Sequence, residues 1–296
     1  MKNYHDYMVR GTSVNEEVLA FALTSKDLVE TAMKTHSLSP IPAAALGRSL
    51  SGAVLMAGTM KGENDTLTLE FRGDGPLRSV VAQADSKGNV RGYTGTNYVD
   101  LPPNEAMHLN VGGAIGKGTL TVIKDLHMKE PYSSSINLRS GEIAEDLAYY
   151  YATSEQTPSS CGLGVLFEKD GTIKAAGGFL IQLLPNASEE TISALEESLS
   201  EIKNVTDVLL EEMTPEHLLE KVLGPLGFKR MGDKEIHLAC HCSKERSEQT
   251  LLTLGKEELK KLAEEAPTTE IHCEFCESNY VFTSDELLSL SNKCSK

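Results

Sequence analysis

Four of the six cysteines in this 296-residue chain occur as two tight pairs near its C-terminus. Cys240 and Cys242 form a C-x-C pair, and Cys273 and Cys276 form a C-x-x-C pair after a spacer of thirty residues. Two such pairs, brought together, supply the four sulfur ligands that Zn²⁺ takes in closed tetrahedral sites. The same sulfurs are also placed to pair locally as two disulfides once a metal leaves. The spacing therefore predicts either a structural zinc site or a redox switch.

Other potential ligands lie close to these pairs in the sequence. His237, His241 and His272 are each within three residues of a candidate cysteine, so a site of three sulfurs and one nitrogen is an alternative to four sulfurs. The two remaining cysteines stand apart. We expect Cys161 to be a small buried hydrophobe and Cys294 to be a thiol in the C-terminal tail.

The chain carries no sign of a membrane span or a secretory signal. No apolar run approaches the ~20 residues that cross a bilayer, and the first residues lack an apolar core. We therefore expect a cytoplasmic protein without membrane partners, in a compartment where thiols stay reduced. Paired cysteines there indicate metal binding or redox activity rather than structural disulfides.

The charge balance argues against nucleic acid as a partner. Net charge is −15. Residues 186–232 carry 4 basic and 10 acidic side chains, and residues 233–296 carry 8 and 13. Neutralising phosphates requires a basic face. A zinc-ribbon adaptor for nucleic acid is therefore a disfavoured hypothesis.

Hydrophobic patterning predicts an α+β fold that begins with a mixed α/β core. Residues 66–71 alternate apolar and polar side chains as a half-buried strand does, and residues 78–82 return as a partner strand after the turn at 73–76. Further predicted elements are strands at 119–123 and 178–184 and helices at about 43–60 and 140–151.

A change in pattern near residue 185 predicts a helical linker. Ile192, Leu195 and Leu199 recur at helical spacing between acidic residues. Thr214 and Pro215 are typical of a helix start. The apolar stripes of these helices either pack permanently on the core or pack there and can be released. We predict an N-terminal core domain at 1–185, a linker at 186–232 and a C-terminal zinc-binding domain at 233–296.

The predicted zinc-binding domain has few large apolar residues for its length. Segments of about 60 residues with so thin a core usually need a metal or disulfides. If zinc supplies the missing stability, metal binding and folding are one process. Removing the metal is then expected to unfold the segment.

Signals for an enzyme are weak. Residues 111–118 resemble a phosphate-binding loop, but Val111 replaces the first required glycine and Gly118 replaces the hydroxyl residue that holds Mg²⁺. A glycine-rich turn before a strand is the better interpretation. The alternative function to be weighed is a thiol–disulfide oxidoreductase that uses Cys273 and Cys276.

The cysteine pattern and several core segments together resemble one protein family. The C-x-C pair followed by Ser243 and the C-x-x-C pair enclosing Glu274 and Phe275 are similar to the zinc end of the redox-regulated holdase chaperones, the thirty-three-kilodalton heat-shock proteins of bacteria. Segments at 9–11, 73–77, 91–92, 154–156 and 176–178 resemble that family in the same order. Cys161 and Cys294 are not part of its pattern.

The resemblance implies a function and a switching mechanism. Reduced Cys240, Cys242, Cys273 and Cys276 would bind Zn²⁺ and keep the chaperone inactive. Oxidation would form Cys240–Cys242 and Cys273–Cys276 disulfides, expel the metal and loosen the linker. Unfolding client proteins would then bind without ATP, and the active form would be a homodimer. The resemblance thus predicts a chaperone that responds to stress and is not an enzyme.

Overall fold

The computed structural model describes residues 6–294 and confirms a mixed α+β architecture. The chain divides into two compact units, and the second begins at Cys240. The predicted boundary at 232/233 falls within a strand of the first unit, Phe228–Glu235. The three-part division into core, linker and zinc-binding domain stays a prediction about which parts of the chain act together.

The first unit combines strands and helices in alternation along the chain. Its strands are β1 (Tyr7–Ser13), β2 (Val18–Thr24), β3 (Thr66–Gly73), β4 (Ser79–Asp85), β5 (Asn89–Thr94), β6 (Gly118–Asp125), β7 (Tyr132–Asn137), β8 (Ser159–Phe167), β9 (Ile173–Leu183), β10 (Phe228–Glu235) and β11 (His237–Leu238). Its helices are α1 (Lys26–Thr35), α2 (Pro40–Ala57), α3 (Val111–Ile115), α4 (Ile143–Tyr150), α5 (Glu189–Glu201), α6 (Val205–Glu211) and α7 (Pro215–Leu223). A π-helical turn, Tyr151–Glu155, follows α4, and a 3₁₀ turn, Gly224–Leu226, follows α7.

A five-stranded sheet in the order β10-β1-β2-β9-β8 is covered on both faces. Along β2, Phe21 and Leu23 join the cluster around α2, whereas Val18, Ala20 and Ala22 join the cluster formed with α5, α6 and α7. Successive side chains of a strand point to opposite faces. A strand covered on both faces is therefore apolar throughout, which explains the unbroken run in β2.

A second sheet, in the order β11-β5-β4-β3-β6-β7, lies across the central helix α2. The predicted hairpin is confirmed, because β3 pairs antiparallel with β4, and the predicted strand at 119–123 lies within β6. Leu67, Leu69 and Phe71 alternate along β3 and are fully buried.

Helix α2 packs between the two sheets, with side chains of both in one cluster around it. The helix predicted at about 43–60 is confirmed but begins earlier, because Pro40 suits the first turn of a helix. Small residues let neighbouring elements, including α1, approach it closely. A Cβ built on Gly47 would lie only 2.7 Å from the Val29 side chain. A larger residue there would force the helices apart.

One predicted helix starts later than expected, and the predicted glycine-rich turn also contains a short helix. The helix predicted at 140–151 begins only at Ile143, because Gly141 has a positive φ of 74° that helical backbone does not adopt. The glycine-rich stretch at 111–118 forms the short helix α3, a turn at Gly116 and the start of β6. This outcome agrees with a turn before a strand.

The helices of the predicted linker pack on the outer face of the five-stranded sheet. Leu218, Leu219, Val222 and Leu223 of α7 are fully buried there, together with Leu195 of α5. The predicted start of α7 is confirmed, since the Thr214 side chain accepts a hydrogen bond from the His217 amide. The apolar stripes are therefore core residues in this conformation.

The Leu28 amide, in the first turn of α1, finds its hydrogen-bond acceptor outside the helix. The helix has no side-chain cap of its own, and Asp6 Oδ2 accepts a hydrogen bond of 2.7 Å from the Leu28 amide. The Asp6 carbonyl also accepts a hydrogen bond from Ile236. Burial raises the pKa of the Asp6 carboxyl from 3.8 to about 6.

Among the residues described, no helix is long and apolar enough to cross a membrane.

We predict that Asp6→Asn changes the pH dependence of stability. Because the pKa of Asp6 is raised on folding, its contribution to the free energy of unfolding is greatest below its unfolded pKa and is lost as pH rises through about 6. Asparagine can still accept the α1 hydrogen bond without a buried charge. Relative to the wild type, D6N should gain about 2 kcal/mol between pH 4.5 and 7.5.

Urea unfolding at the two pH values measures this difference. Asp100→Asn, at an exposed aspartate, is the matched control and should show no comparable gain. A D6N-to-wild-type difference that stayed constant across this pH range would contradict the role of Asp6.

Candidate metal centre

The second unit is a small assembly of helices around one hairpin. Its elements are α8 (Lys244–Leu252), α9 (Lys256–Glu265), β12 (Thr268–His272), β13 (Asn279–Thr283) and α10 (Ser284–Lys293). Among the described residues of this unit, the buried apolar core consists of Leu251, Leu259, Phe282, Leu287 and Leu290. Helix α10 begins with a capping box between Thr283 and Glu286. Local helix signals are thus strong, but the apolar core is small.

Two different backbone structures present the cysteine pairs. Cys240 and Cys242 lie in the irregular segment between β11 and α8, just before Ser243 caps α8. Cys273 and Cys276 lie in the loop of the β12–β13 hairpin. The Cys276 amide donates to the Cys273 carbonyl at 3.2 Å, which closes the knuckle and turns both side chains toward the first pair.

The four sulfurs come together at one point. Their Sγ atoms all lie within 4.8 Å of one another. The separation is 3.7 Å between Cys240 and Cys273 and 3.2 Å between Cys242 and Cys276, so close contacts join one pair to the other. All six cysteines lie in the described part of the chain, and none forms a disulfide. The arrangement could hold a metal ion of the kind that thiolates prefer.

Two hydroxyl groups contact the sulfurs. Tyr280 Oη, on β13, donates a hydrogen bond of 3.1 Å to Cys242 Sγ. A hydrogen bond of 3.3 Å joins Cys276 Sγ and Ser278 Oγ. The sequence gives Tyr280 only as an apolar residue of this segment. Tyr280 and Phe282 are two positions apart in the sequence. In a strand, this spacing places both rings on the same face, and it is the sequence pattern from which their shared inward position could have been predicted.

The surroundings give the thiols of Cys276 and Cys273 very different pKa values. Burial would raise the pKa of the Cys276 thiol, but hydrogen bonds with Ser278 and Cys242 lower it to about 6. Burial and hydrogen bonding to the neighbouring sulfurs raise the pKa of Cys273 to about 12. A thiolate is thus favoured at Cys276 at neutral pH, whereas Cys273 keeps its proton. Further protons must leave before four thiolates can bind one ion.

Lys244, which follows the first pair, serves the fold of the unit. Lys244 Nζ forms an ion pair of 2.6 Å with Glu286 and lies 5.0 Å from the centre of the Phe282 ring. It therefore connects the start of α8 to α10. The pair is exposed, so its stabilising contribution is small.

The alternative ligands do not join the cluster. Within residues 6–294, the group of potential metal ligands contains the four cysteines and no histidine. His272 Nδ1 is instead hydrogen-bonded to Asn279 at 2.7 Å, and His237 lies 3.5 Å from Glu235. His241 is likewise outside the group. The geometry thus favours four sulfurs over three sulfurs and one nitrogen.

The two remaining cysteines are also outside the group. Cys161 lies in β8 of the first unit, where burial raises the pKa of its thiol to about 12. Cys294 follows α10 with its sulfur 3.8 Å from the Leu252 carbonyl, so this thiol packs against the unit's core and is not a loose tail group. The position of Cys161 therefore does not favour an ionised thiolate.

The structure gives no support to a disulfide oxidoreductase. A low-pKa C-x-x-C pair is typically stabilised at a helix N-terminus. Here Cys273 and Cys276 occupy a hairpin loop, followed by strand β13 rather than by a helix. The cysteine knuckle therefore serves better as half of a four-sulfur metal site.

Comparisons with known proteins agree with this geometry. The family model described as Hsp33 protein matches residues 6–283. A 33 kDa chaperonin of Lachnoclostridium phytofermentans is 46% identical over 283 residues, covering 96% of this chain and 97% of that protein. A 33 kDa chaperonin of Clostridioides difficile is 42% identical and covers 96% and 98%.

A solved structure shares the architecture as well. The 33 kDa chaperonin of Thermotoga maritima, a heat shock protein 33 homolog, superposes with a TM-score of 0.88 at 37% identity, covering 98% of this chain and 99% of that one. With the family model matching nearly the whole length and close relatives of the same name, the chain belongs to the Hsp33 family of 33 kDa chaperonins, which are chaperones and not enzymes.

Proposed function

We propose that this protein is an ATP-independent holdase chaperone of the cytoplasm that is activated by oxidation of a zinc site. The observation that carries the proposal is the convergence of four cysteine sulfurs within 4.8 Å, in a chain of a chaperone family. Its partners would be unfolding client proteins, and its active form would be a homodimer. The acidic charge balance argues against nucleic acid or an anionic membrane surface as a partner.

Zinc is the ion that best suits this ligand set. Four sulfurs at about 2.3 Å from one Zn²⁺ stand about 3.8 Å apart at the corners of a tetrahedron. The Cys240–Cys273 separation is 3.7 Å, and Cys242 and Cys276 would need to move apart by only a few tenths of an ångström from 3.2 Å. When bound, zinc would keep all four sulfurs as thiolates.

The proposed switch is a balanced two-electron reaction in each cysteine pair. Cys240 and Cys242 lose two electrons and form one S–S bond, and Cys273 and Cys276 do the same. A peroxide accepts each electron pair and, with two protons, leaves as two water molecules. Sulfurs that are joined in disulfides no longer hold the ion. Each sulfur pair must close from up to 4.8 Å to about 2.05 Å, so the spacing that suits four ligands of one ion is lost.

The small core of the second unit connects this chemistry to folding. With five buried apolar side chains among its described residues, the unit depends on its metal for stability. Loss of the ion would unfold it. The chain enters this unit directly from β10 and β11, which follow the linker helices. Unfolding would therefore remove order next to the linker and favour release of its apolar faces.

Released linker helices would expose two complementary apolar surfaces. One consists of the α7 side chains Leu218, Leu219, Val222 and Leu223, and the other is the outer face of the five-stranded sheet, with Ala20 and Phe179. Flexible apolar surface can bind many unfolded chains without a specific pocket. Such binding requires no nucleotide, in agreement with the incomplete phosphate loop at 111–118.

We predict that Cys240→Ser and Cys273→Ser each abolish tight zinc binding and the response to peroxide, because each variant removes a ligand and a disulfide partner. The measurement records zinc content, then zinc release and light scattering of a heat-unfolding client in one sample, before and after peroxide. Cys161→Ala is the matched control and should keep both properties. Oxidative activation that survived in both serine variants would contradict the proposed switch.

We predict that zinc affinity falls more than tenfold for each unit of pH between 8 and 6. Since the pKa of Cys273 is raised to about 12 and that of Cys242 is also raised above the ordinary thiol value, more than one proton must leave the cluster when zinc binds. Each proton released contributes a tenfold change per pH unit, or about 1.36 kcal/mol. Competition titration with a chromophoric chelator at several pH values measures the slope. A pH-independent affinity would show that the thiolates are already formed without the metal.

We predict that Leu219→Ala lowers the oxidant or temperature needed for activation. Leu219 is fully buried between α7 and the sheet, and its truncation should weaken linker packing by about 2–5 kcal/mol. Leu210→Ala is the matched control in the same linker, because Leu210 is 43% exposed. Client scattering is recorded against peroxide concentration for both variants.

Urea unfolding of the reduced protein accompanies this assay. It shows whether the substitution has loosened only the linker or has unfolded the whole first unit. Val222→Ala provides a milder truncation on the same helix. If L219A required the same oxidant and temperature as L210A, release of the linker would not be the step that exposes the client surface.

A further inference from the structure

We propose that the Tyr280 hydroxyl is a positioning group that holds Cys242 in the metal site and slows its oxidation. The inference rests on the proposed zinc switch and adds a residue outside the four ligands to it. Tyr280 would touch neither the ion nor the oxidant. It would act through the sulfur that accepts its hydrogen bond.

The Tyr280–Cys242 hydrogen bond connects the two halves of the site. Tyr280 belongs to the hairpin that carries Cys273 and Cys276, whereas Cys242 belongs to the segment before α8. The bond is 3.1 Å long and spans 38 positions of sequence. The Ser278–Cys276 contact, in comparison, joins residues two positions apart within the hairpin loop. Tyr280 is therefore the hydroxyl that brings the first pair toward the second.

The position of the Tyr280 hydroxyl is fixed by the elements around it. Its residue pairs with Ile271 across the hairpin, and its ring packs against the core that includes Phe282 and Leu259. A ring held in this way directs its O–H at one point. A donor fixed in advance loses little entropy when the thiolate forms.

A hydrogen bond to a thiolate changes both its metal binding and its reactivity. The thiolate is the form that binds metals and attacks oxidants. A donated O–H stabilises the charge and draws electron density from the sulfur, so Cys242 becomes a slower nucleophile toward peroxide. Partners that hydrogen-bond to metal ligands also orient them, and their loss costs about 10–100-fold in metal affinity. Tyr280 would thus set how much oxidant the site withstands.

The test is Tyr280→Phe in the full chain, which removes the hydroxyl and keeps the ring. Zinc affinity of the reduced protein should fall about tenfold or more, and zinc release at a fixed peroxide concentration should become faster. In the cobalt-loaded protein, the sulfur-to-cobalt charge-transfer band should shift to longer wavelength, because a sulfur without the hydrogen bond gives up electron density more easily. A residue with only a packing role would not move this band.

Tyr98→Phe is the matched control, since Tyr98 is 70% exposed in the first unit and the same atom is removed. It should leave affinity, release rate and the cobalt band unchanged. A Y280F protein with wild-type affinity and an unshifted band would overturn the proposal. Complete loss of cobalt binding would overturn it too, because one such hydrogen bond accounts for about a hundredfold at most.

The cobalt measurement also separates this inference from the switch on which it rests. If the wild-type protein bound cobalt but retained zinc under peroxide, the redox switch would fail. A band shift in Y280F would still establish the positioning role of Tyr280. If the wild-type protein released zinc normally and Y280F behaved identically, the switch would stand and the role of Tyr280 would fail.

Discussion

The second unit brings four sulfur atoms together at a point where a full hydrophobic core is lacking. Leu251, Leu259, Phe282, Leu287 and Leu290 are the buried apolar residues among its described part, few for a segment of this length. Ordering each residue costs about 1–2 kcal/mol of backbone entropy, which so small an apolar core cannot offset. A metal held by thiolates can supply the difference. In the proposed switch, the unit would stay folded only while the four sulfurs hold the ion.

The first unit is built on the opposite principle. Helix α2 is buried on nearly every side between two sheets, and the five-stranded sheet is covered on both faces. Its stability comes from apolar packing, which peroxide does not alter at Leu46 or Phe71. Even its single cysteine is protected, because burial raises the pKa of Cys161 to about 12 and keeps it in the thiol form that oxidants attack slowly. In the proposed switch, the chemistry that opens the second unit would leave the packing around α2 intact and would loosen only the linker helices of the first unit.

Local sequence signals predicted the elements well and their long-range pairing poorly. The alternation of Leu67 and Leu69 and the Thr214 cap depend on near neighbours, so the corresponding strand and helix start could be recognised. Strand β10 could not, because its side chains are mostly exposed and its stability comes from pairing with β1 more than two hundred positions away. The cysteine spacing likewise predicted which four sulfurs come together. The Tyr280–Cys242 bond, in contrast, depends on hairpin register and on how two distant segments meet.

The linker helices combine apolar packing with a few polar contacts that are open to disruption. Glu17 accepts hydrogen bonds from the amide and hydroxyl of Ser188 at the start of α5, and Tyr7 donates to Glu216 on α7. Hydrogen bonds contribute about 1 kcal/mol each, so most of the attachment energy must come from buried leucines such as Leu218 and Leu223. Those leucines are attached only as long as the helices keep their fold. Once helical structure is lost, these apolar side chains no longer lie together on one side of a helix that packs on the sheet. They then become available to any unfolded chain nearby. In the proposed chaperone, one set of residues would thus complete the resting core and form the client surface.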